Sequence, residues 1–153
     1  RQEVLLSTPA LTVIEDFGHH PTALAETLNS FRARFPGTLL TAVFEPRSNT
    51  ARSTVMQAAF MRALAQADEV YIGAVNRPEK MRPEERFDPE AVVQQLETQG
   101  LTARWAATNA ALGEKLIAEA LTNEKRSRVV IFFTNGTFDG IMGRFVTAAK
   151  ALR

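Results

Sequence analysis

Leu11-Thr12-Val13-Ile14-Glu15-Asp16-Phe17-Gly18-His19-His20-Pro21 decides the fold. Residues 11–16 are apolar and β-rich, and a helical pattern over 21–35 opens on Pro21, a residue suited to a first helical turn. The rest of the chain repeats this strand-then-helix step. Further strands are expected at 39–44, 69–75, 102–107 and 128–134, and further helices at 50–67, 89–99, 110–121 and 139–152. In the helical segments apolar residues return every three or four positions, as Val55, Ala59, Met61 and Leu64 do. Asp88-Pro89 reads as a cap and first helical residue, and Gly100 as a stop. Alternation of this kind gives a parallel sheet with helices on both faces. Residues 3–7 add one more strand, and Thr8-Pro9-Ala10 leaves room only for a hairpin, so that strand runs antiparallel to its successor. The expected fold is α/β and Rossmann-like: three layers around a mostly parallel sheet of about six strands with one antiparallel edge strand. The Pro-rich, charged stretch 76–87 is read as a mobile surface loop.

Composition bounds the function. The 153 residues fit one domain with a real core, and 45% hydrophobic with 23% charged residues is a globular balance. Eighteen basic and 17 acidic residues nearly cancel, and a net charge of +1 gives no general pull toward nucleic acid or anionic lipid. A charged ligand must therefore be held by a local cluster. Absence of cysteine excludes disulfides, thiolate metal sites and a cysteine nucleophile, and fits a reducing cytoplasm. No apolar run is long enough to span a bilayer. The start, Arg1-Gln2-Glu3-Val4, lacks signal-peptide features and an initiator Met, so a piece of a longer protein is expected.

Ligands of doubly wound sheets bind beyond the carboxyl ends of the strands. Three unusual segments fall there: residues 15–21, Glu45-Pro46-Arg47-Ser48-Asn49-Thr50, and Thr134-Asn135-Gly136-Thr137-Phe138-Asp139-Gly140. Each has an ordinary structural use. His20 can cap the helix that starts at Pro21, the Ser, Asn or Thr of the second segment can cap the next helix, and Asn135-Gly136 is a common turn. Thr137 or Asp139 can serve the last helix as cap or dipole partner. Adjacent histidines are poorly spaced as metal ligands. The functional reading comes from the shared edge, where neighbouring helix N-termini favour an anion. A Walker phosphate loop, a G-x-G-x-x-G after the first strand and a G-x-S-x-G elbow are all missing, so the usual nucleotide, nicotinamide and hydrolase fingerprints are absent.

Val13-Ile14-Glu15-Asp16-Phe17-Gly18-His19-His20-Pro21-Thr22 resembles the opening motif of the third, C-terminal domain of Mur ligases. The likeness lies in the muramate-activating branch, which holds UDP-N-acetylmuramate–L-alanine ligase and the murein peptide ligases. Residues 44–50 and 133–141 resemble the peptide ligases, and the likeness runs through the chain in matching order. What it implies is a cytoplasmic, ATP-dependent enzyme of peptidoglycan recycling. It joins UDP-N-acetylmuramate to the tripeptide L-alanyl-γ-D-glutamyl-meso-diaminopimelate through an acyl phosphate formed with ATP and Mg2+. In that family the N-terminal domain holds the UDP-sugar and the central domain carries the phosphate loop and metal ligands. Residues 1–153 would be the substrate-closing domain, with no metal site of its own, no nucleic-acid or membrane partner, and no activity alone.

The resemblance also assigns residues. Asp16 matches a carboxylate near the ATP ribose, and His19 and His20 match positions facing the reacting groups, with base catalysis by imidazole or positioning alone both open. Arg47, Ser48 and Asn49 fall in the loop expected to read the incoming peptide, whose carboxylates suit a forked guanidinium. Arg52 offers a second charge, and Asn135, Gly136, Phe138 and Asp139 form a second substrate-side loop. Two departures stand out: Glu15 where a second Asp is usual, which keeps the charge, and Thr137 where Gly is expected, which adds a side chain to the loop. The alternatives are the corresponding domain of the alanine ligase and a non-catalytic module binding a nucleotide or anionic peptide.

Overall fold

Strand and helix alternate as the sequence predicts. The computed structural model describes residues 2–18, 20–47, 53–122 and 126–152. Its strands are β1 (Gln2–Ser7), β2 (Leu11–Asp16), β3 (Leu39–Phe44), β4 (Glu69–Ile72), β5 (Thr102–Trp105) and β6 (Arg128–Phe133). Its helices are α1 (Pro21–Arg34), α2 (Gln57–Leu64), α3 (Pro89–Thr98), α4 (Asn109–Ala120) and α5 (Ile141–Ala151). They build one six-stranded sheet in the order β1-β2-β6-β3-β4-β5, antiparallel only between β1 and β2. No described helix is long and apolar enough to cross a membrane.

The expected punctuation is present. The His20 Nδ1 accepts from the Thr22 N–H at 3.4 Å, the Asp88 carboxylate accepts from the Ala91 N–H at 3.1 Å, and Gly100 takes a left-handed φ of 87° after α3. Five expectations shift, the simplest being the strand expected over 102–107, which stops at Trp105. The helix expected over 50–67 is a 3₁₀ turn (Thr54–Met56) followed by α2, because the Ser53 hydroxyl accepts from the Val55 N–H and Ser53 bridges to Arg86; residues 50–52 lie outside those described. The strand expected to reach 75 stops at Ile72, since the Ala74 N–H donates to the Asn109 side chain. The helix expected from 139 begins at Ile141, because Phe138, Asp139 and Gly140 all have positive φ. The stretch 76–87 carries two 3₁₀ turns, Pro78–Lys80 and Pro83–Glu85, and ends on buried Phe87, whose ring meets those of Phe44 and Phe60 at 5.8 and 6.5 Å.

Alternating strand residues feed two cores. Leu40, Ala42, Phe44, Ile131 and Phe133 face α1, α2 and α3, while Val43, Tyr71, Val130 and Phe132 face α4 and α5. At the amino edge a buried polar group joins strands: Arg128 donates to Thr41 Oγ1 at 2.9 Å and to Glu69, and Thr41 donates to Glu69 at 2.6 Å. Burial holds the Arg128 guanidinium below its ordinary pKa.

This topology fixes where a ligand can enter. The chain leaves β2 and β3 toward the face covered by α1–α3, but leaves β6, which lies between them, toward α5 on the other face. Loops that diverge from neighbouring strands open a crevice at the carboxyl edge.

Candidate functional site

All three segments singled out in the sequence leave strands that meet at this switch point. Asp16 and Phe44 both pair in register with Phe133. The Thr134 N–H donates to the Asp16 carbonyl and the Glu45 N–H to the Phe133 carbonyl, each at 3.1 Å. Their side chains then divide between the faces of the sheet.

Toward α1 stands Asp16, only 4% exposed. One oxygen accepts from the Gly18 N–H at 2.6 Å; the other accepts from Gln2 Nε2 and Thr27 Oγ1, both at 3.0 Å. Gly18 permits the tight turn, since a Cβ there would lie 2.8 Å from the carboxylate. Asp16 thus ties β1, β2 and α1 together. His20 is exposed, and its Nδ1 is the cap of α1. While that bond holds, the neutral ring carries its proton on Nε2, which then donates rather than accepts. Of the two roles left open for His20, base catalysis requires the cap to open and positioning does not. His19 lies outside the described residues.

On the α4 and α5 face the second and third segments lock together. Glu45, 4% exposed, accepts from Thr134 Oγ1 at 2.6 Å, and Thr134 Oγ1 in turn accepts from the Gly136 N–H at 3.0 Å. Asn109 Nδ2 donates to Asp139 at 2.9 Å and to Glu45 at 3.4 Å. Burial raises the Glu45 pKa, and the Asp139 charge adds to the rise; Thr134, Arg47 and Asn109 pull the other way without cancelling it. Arg47 lies over Gly136, where a Cβ would come within 2.6 Å of Arg47 Cδ and 2.7 Å of Cζ. A half-buried Arg47 side chain therefore rests on a bare backbone at the carboxyl edge of the sheet.

The predicted residues separate accordingly. Arg47, Gly136 and Asp139 are brought together, with Asn135 exposed on the same loop. Phe138 is a correction: its side chain is wholly buried against Phe132, with ring centroids 6.2 Å apart, so it anchors the loop from below instead of facing a ligand. Asp139 is not the cap of α5, because its carboxylate is taken by Asn109 and the cap position is Gly140. Thr137 sits at φ −87°, comfortable for any side chain, so its departure from Gly costs no backbone strain. Ser48, Asn49 and Arg52 lie outside the described residues. Among the described residues no group of three His, Asp or Glu side chains is placed to hold a metal ion. The sequence reading did not single out Asn109: it opens a helix, and only the register of distant strands brings it to Glu45, which Thr134 of the third segment also meets.

The family model of the Mur ligase glutamate ligase domain matches residues 1–136. The UDP-N-acetylmuramate–L-alanyl-γ-D-glutamyl-meso-2,6-diaminoheptandioate ligase of Haemophilus influenzae is 30% identical over 98% of this chain. The UDP-N-acetylmuramate–L-alanine ligase of Streptococcus mutans is 37% identical over 42% of the chain. A crystallised domain of Haemophilus ducreyi, ascribed to a UDP-N-acetylmuramate:L-alanyl-γ-D-glutamyl-meso-diaminopimelate ligase, is 25% identical with a TM-score of 0.68, covering 97% of this chain and 99% of its own. The chain spans 30% of the length of the Haemophilus influenzae enzyme and 14% of the Streptococcus mutans one is matched. With the six-stranded switch-point sheet, these likenesses place the chain in the Mur ligase family, as its C-terminal, glutamate-ligase domain.

Proposed function

We propose that this chain is the acceptor-side domain of a peptidoglycan-recycling ligase that joins UDP-N-acetylmuramate to L-alanyl-γ-D-glutamyl-meso-diaminopimelate. The observation that carries the reading is Arg47 seated on Gly136 at the carboxyl edge, with the charges of Arg47 and Asp139 both felt by Glu45. A tripeptide brings several carboxylates to this edge, and a forked guanidinium held on bare backbone can donate two parallel hydrogen bonds to one of them. L-Alanine offers one carboxylate and no further length. The likeness over nearly the whole chain to a tripeptide ligase, against 42% coverage with an alanine ligase, supports the same choice.

In this reading the N-terminal and central domains hold the UDP-sugar, and ATP with Mg2+, held mainly there, supplies the activated muramyl carboxylate. This chain binds and aims the acceptor. The peptide α-amine forms the C–N bond, the bond from carbonyl carbon to phosphate oxygen breaks, phosphate leaves, and the amine proton passes to base or solvent. Holding the amine at the carbonyl is the main contribution asked of these residues. Asp16 reaches the ATP ribose by exchanging Gln2 for a sugar hydroxyl, keeping its bonds to Gly18 and Thr27.

The test is phosphate release by the full-length enzyme with UDP-N-acetylmuramate and ATP. Release is expected with the tripeptide. Release with L-alanine alone would make the chain an alanine-ligase domain, and release with neither would favour a binding module without catalysis.

A further inference from the structure

We infer that Asn109 is a positioning residue for the acceptor, a single amide that holds both substrate-side loops in place. The inference rests on the acceptor-side reading above. Asn109 is 6% exposed and stands at the start of α4, on a strand exit the acceptor reading does not otherwise use. Its Oδ1 accepts from the Ala74 N–H at 2.9 Å, which orients the amide so that Nδ2 points at Asp139 and Glu45. Three loops, those after β3, β4 and β6, therefore converge on one side chain.

The helix does not need it. Thr108 supplies the cap of α4, its hydroxyl accepting from the Ala111 N–H at 3.1 Å. What the amide does is place a donor between two carboxylates that repel each other, as the effect of Asp139 on Glu45 records. Asp139 and Phe138 both hold left-handed backbone, at φ 52° and 54°, a conformation a non-glycine residue keeps only when its surroundings fix it. Phe138 is fixed by burial and Asp139 by Asn109. Gly73 makes room for both fixings: a Cβ there would stand 2.6 Å from Asn109 Oδ1 and 2.7 Å from Phe138 Cε1. Through Glu45, whose charge attracts Arg47, the same amide bears on the guanidinium proposed to read the peptide.

Asn109→Asp separates positioning from space filling. It keeps the shape and the acceptor for Ala74 but replaces the donor with a third carboxylate. In the full-length enzyme we expect tripeptide kcat/KM to fall about tenfold or more while KM for ATP moves less than about twofold. The loss should be non-additive with Asp139→Ala, with a coupling of about fivefold or more. Tripeptide kinetics equal to wild type, or full additivity, would overturn the inference. If Asn109→Asp fails to fold, Asn109→Ala, which adds no charge, is read by the same cycle. Should the wild-type enzyme respond to L-alanine and not to tripeptide, the acceptor reading falls, and the cycle is then measured with L-alanine. Coupling there would keep Asn109 as a positioning residue, and its absence would remove it.

Discussion

Arg47 gains its usefulness from the residue beneath it. A guanidinium left free on a loop samples many rotamers, whereas one laid on the bare backbone of Gly136 is held near one orientation before the ligand arrives. Arg47→Ala in the full-length enzyme should therefore raise tripeptide KM by about 10- to 100-fold, the loss of one charge-assisted contact of roughly 1.5–3 kcal/mol, with KM for ATP little changed. Steady-state phosphate release at varied peptide checks this, and unchanged peptide kinetics would take Arg47 out of the site. Gly136→Ala tests the seat itself. Its methyl group would occupy the space of Arg47 Cδ and Cζ, so the peptide KM should rise while the melting temperature stays near wild type. Equal losses for ATP and peptide would mean general damage instead. The resemblance put Arg47 and Gly136 on two substrate-side loops, and the structure sets the side chain of one on the backbone of the other. Asn109 was not legible in the sequence, since Thr108-Asn109 reads as an ordinary helix start until the parallel register places it between Glu45 and Asp139. Phe138, which the resemblance put on the substrate-side loop, has a buried ring between exposed neighbours, and one aromatic in a turn carries no sequence signal of which way it faces.

Among elements, the loop from 76 to 87 shows how charge-rich sequence can hide a fastening. Its Pro-rich, charged sequence reads as a mobile surface loop, and its first ten residues are mostly polar and mostly exposed. At its end, however, Phe87 enters the core against Phe44 and Phe60, and Arg86 bridges to Ser53 ahead of α2. The loop thus ties α3 to the segment that follows Arg47. Phe87→Ala should cost about 3–5 kcal/mol, the usual penalty for an aromatic truncated in a packed core, and lower the melting temperature by about 10 °C. A fall of only one or two degrees in a calorimetric scan would show that the ring is not part of the core. The sheet itself was readable because a period of two and a period of 3.6 distinguish strands from helices without any tertiary information. Their ends were less so. β4 stops early because a side chain from α4 captures the Ala74 N–H, and α5 starts late because three left-handed residues precede it. Both causes lie far away in sequence or in φ, where periodicity carries no signal.

Taken whole, the domain carries two carboxylates, Glu45 buried and Asp68 half-buried, with opposite pH responses. Burial, with Asp139, holds Glu45 above its ordinary value of 4.5, so the native state binds more protons than the unfolded chain over that interval. The stability contributed there is complete below about 4.5 and declines as pH rises through the folded value. At Asp68 burial pushes upward, but the Arg32 hydrogen bond and the Leu40 N–H outweigh it and bring the group below 3.8. That contribution is present above 3.8 and is lost as pH falls through the folded value. Glu45→Gln should consequently flatten the decline that sets in as pH rises above about 4.5 and leave the loss at lower pH, which belongs to Asp68, intact, as read from urea melts across pH. An unaltered decline above about 4.5 would mean that Glu45 does not titrate in this way. Whole-molecule charge also bears on catalysis. ATP binding with hydrolysis demands cations or a glycine-rich loop around the phosphates and ligands for a metal. The 153-residue chain has a net charge of +1 and no phosphate loop, and its described residues place no metal-binding group of three. Pure chain mixed with ATP and Mg2+ should release no phosphate above a protein-free blank, with or without tripeptide. Turnover that copurifies with the chain and vanishes in Arg47→Ala would mean that this domain holds the reacting phosphate itself, and the division of labour proposed for the ligase would have to be reversed.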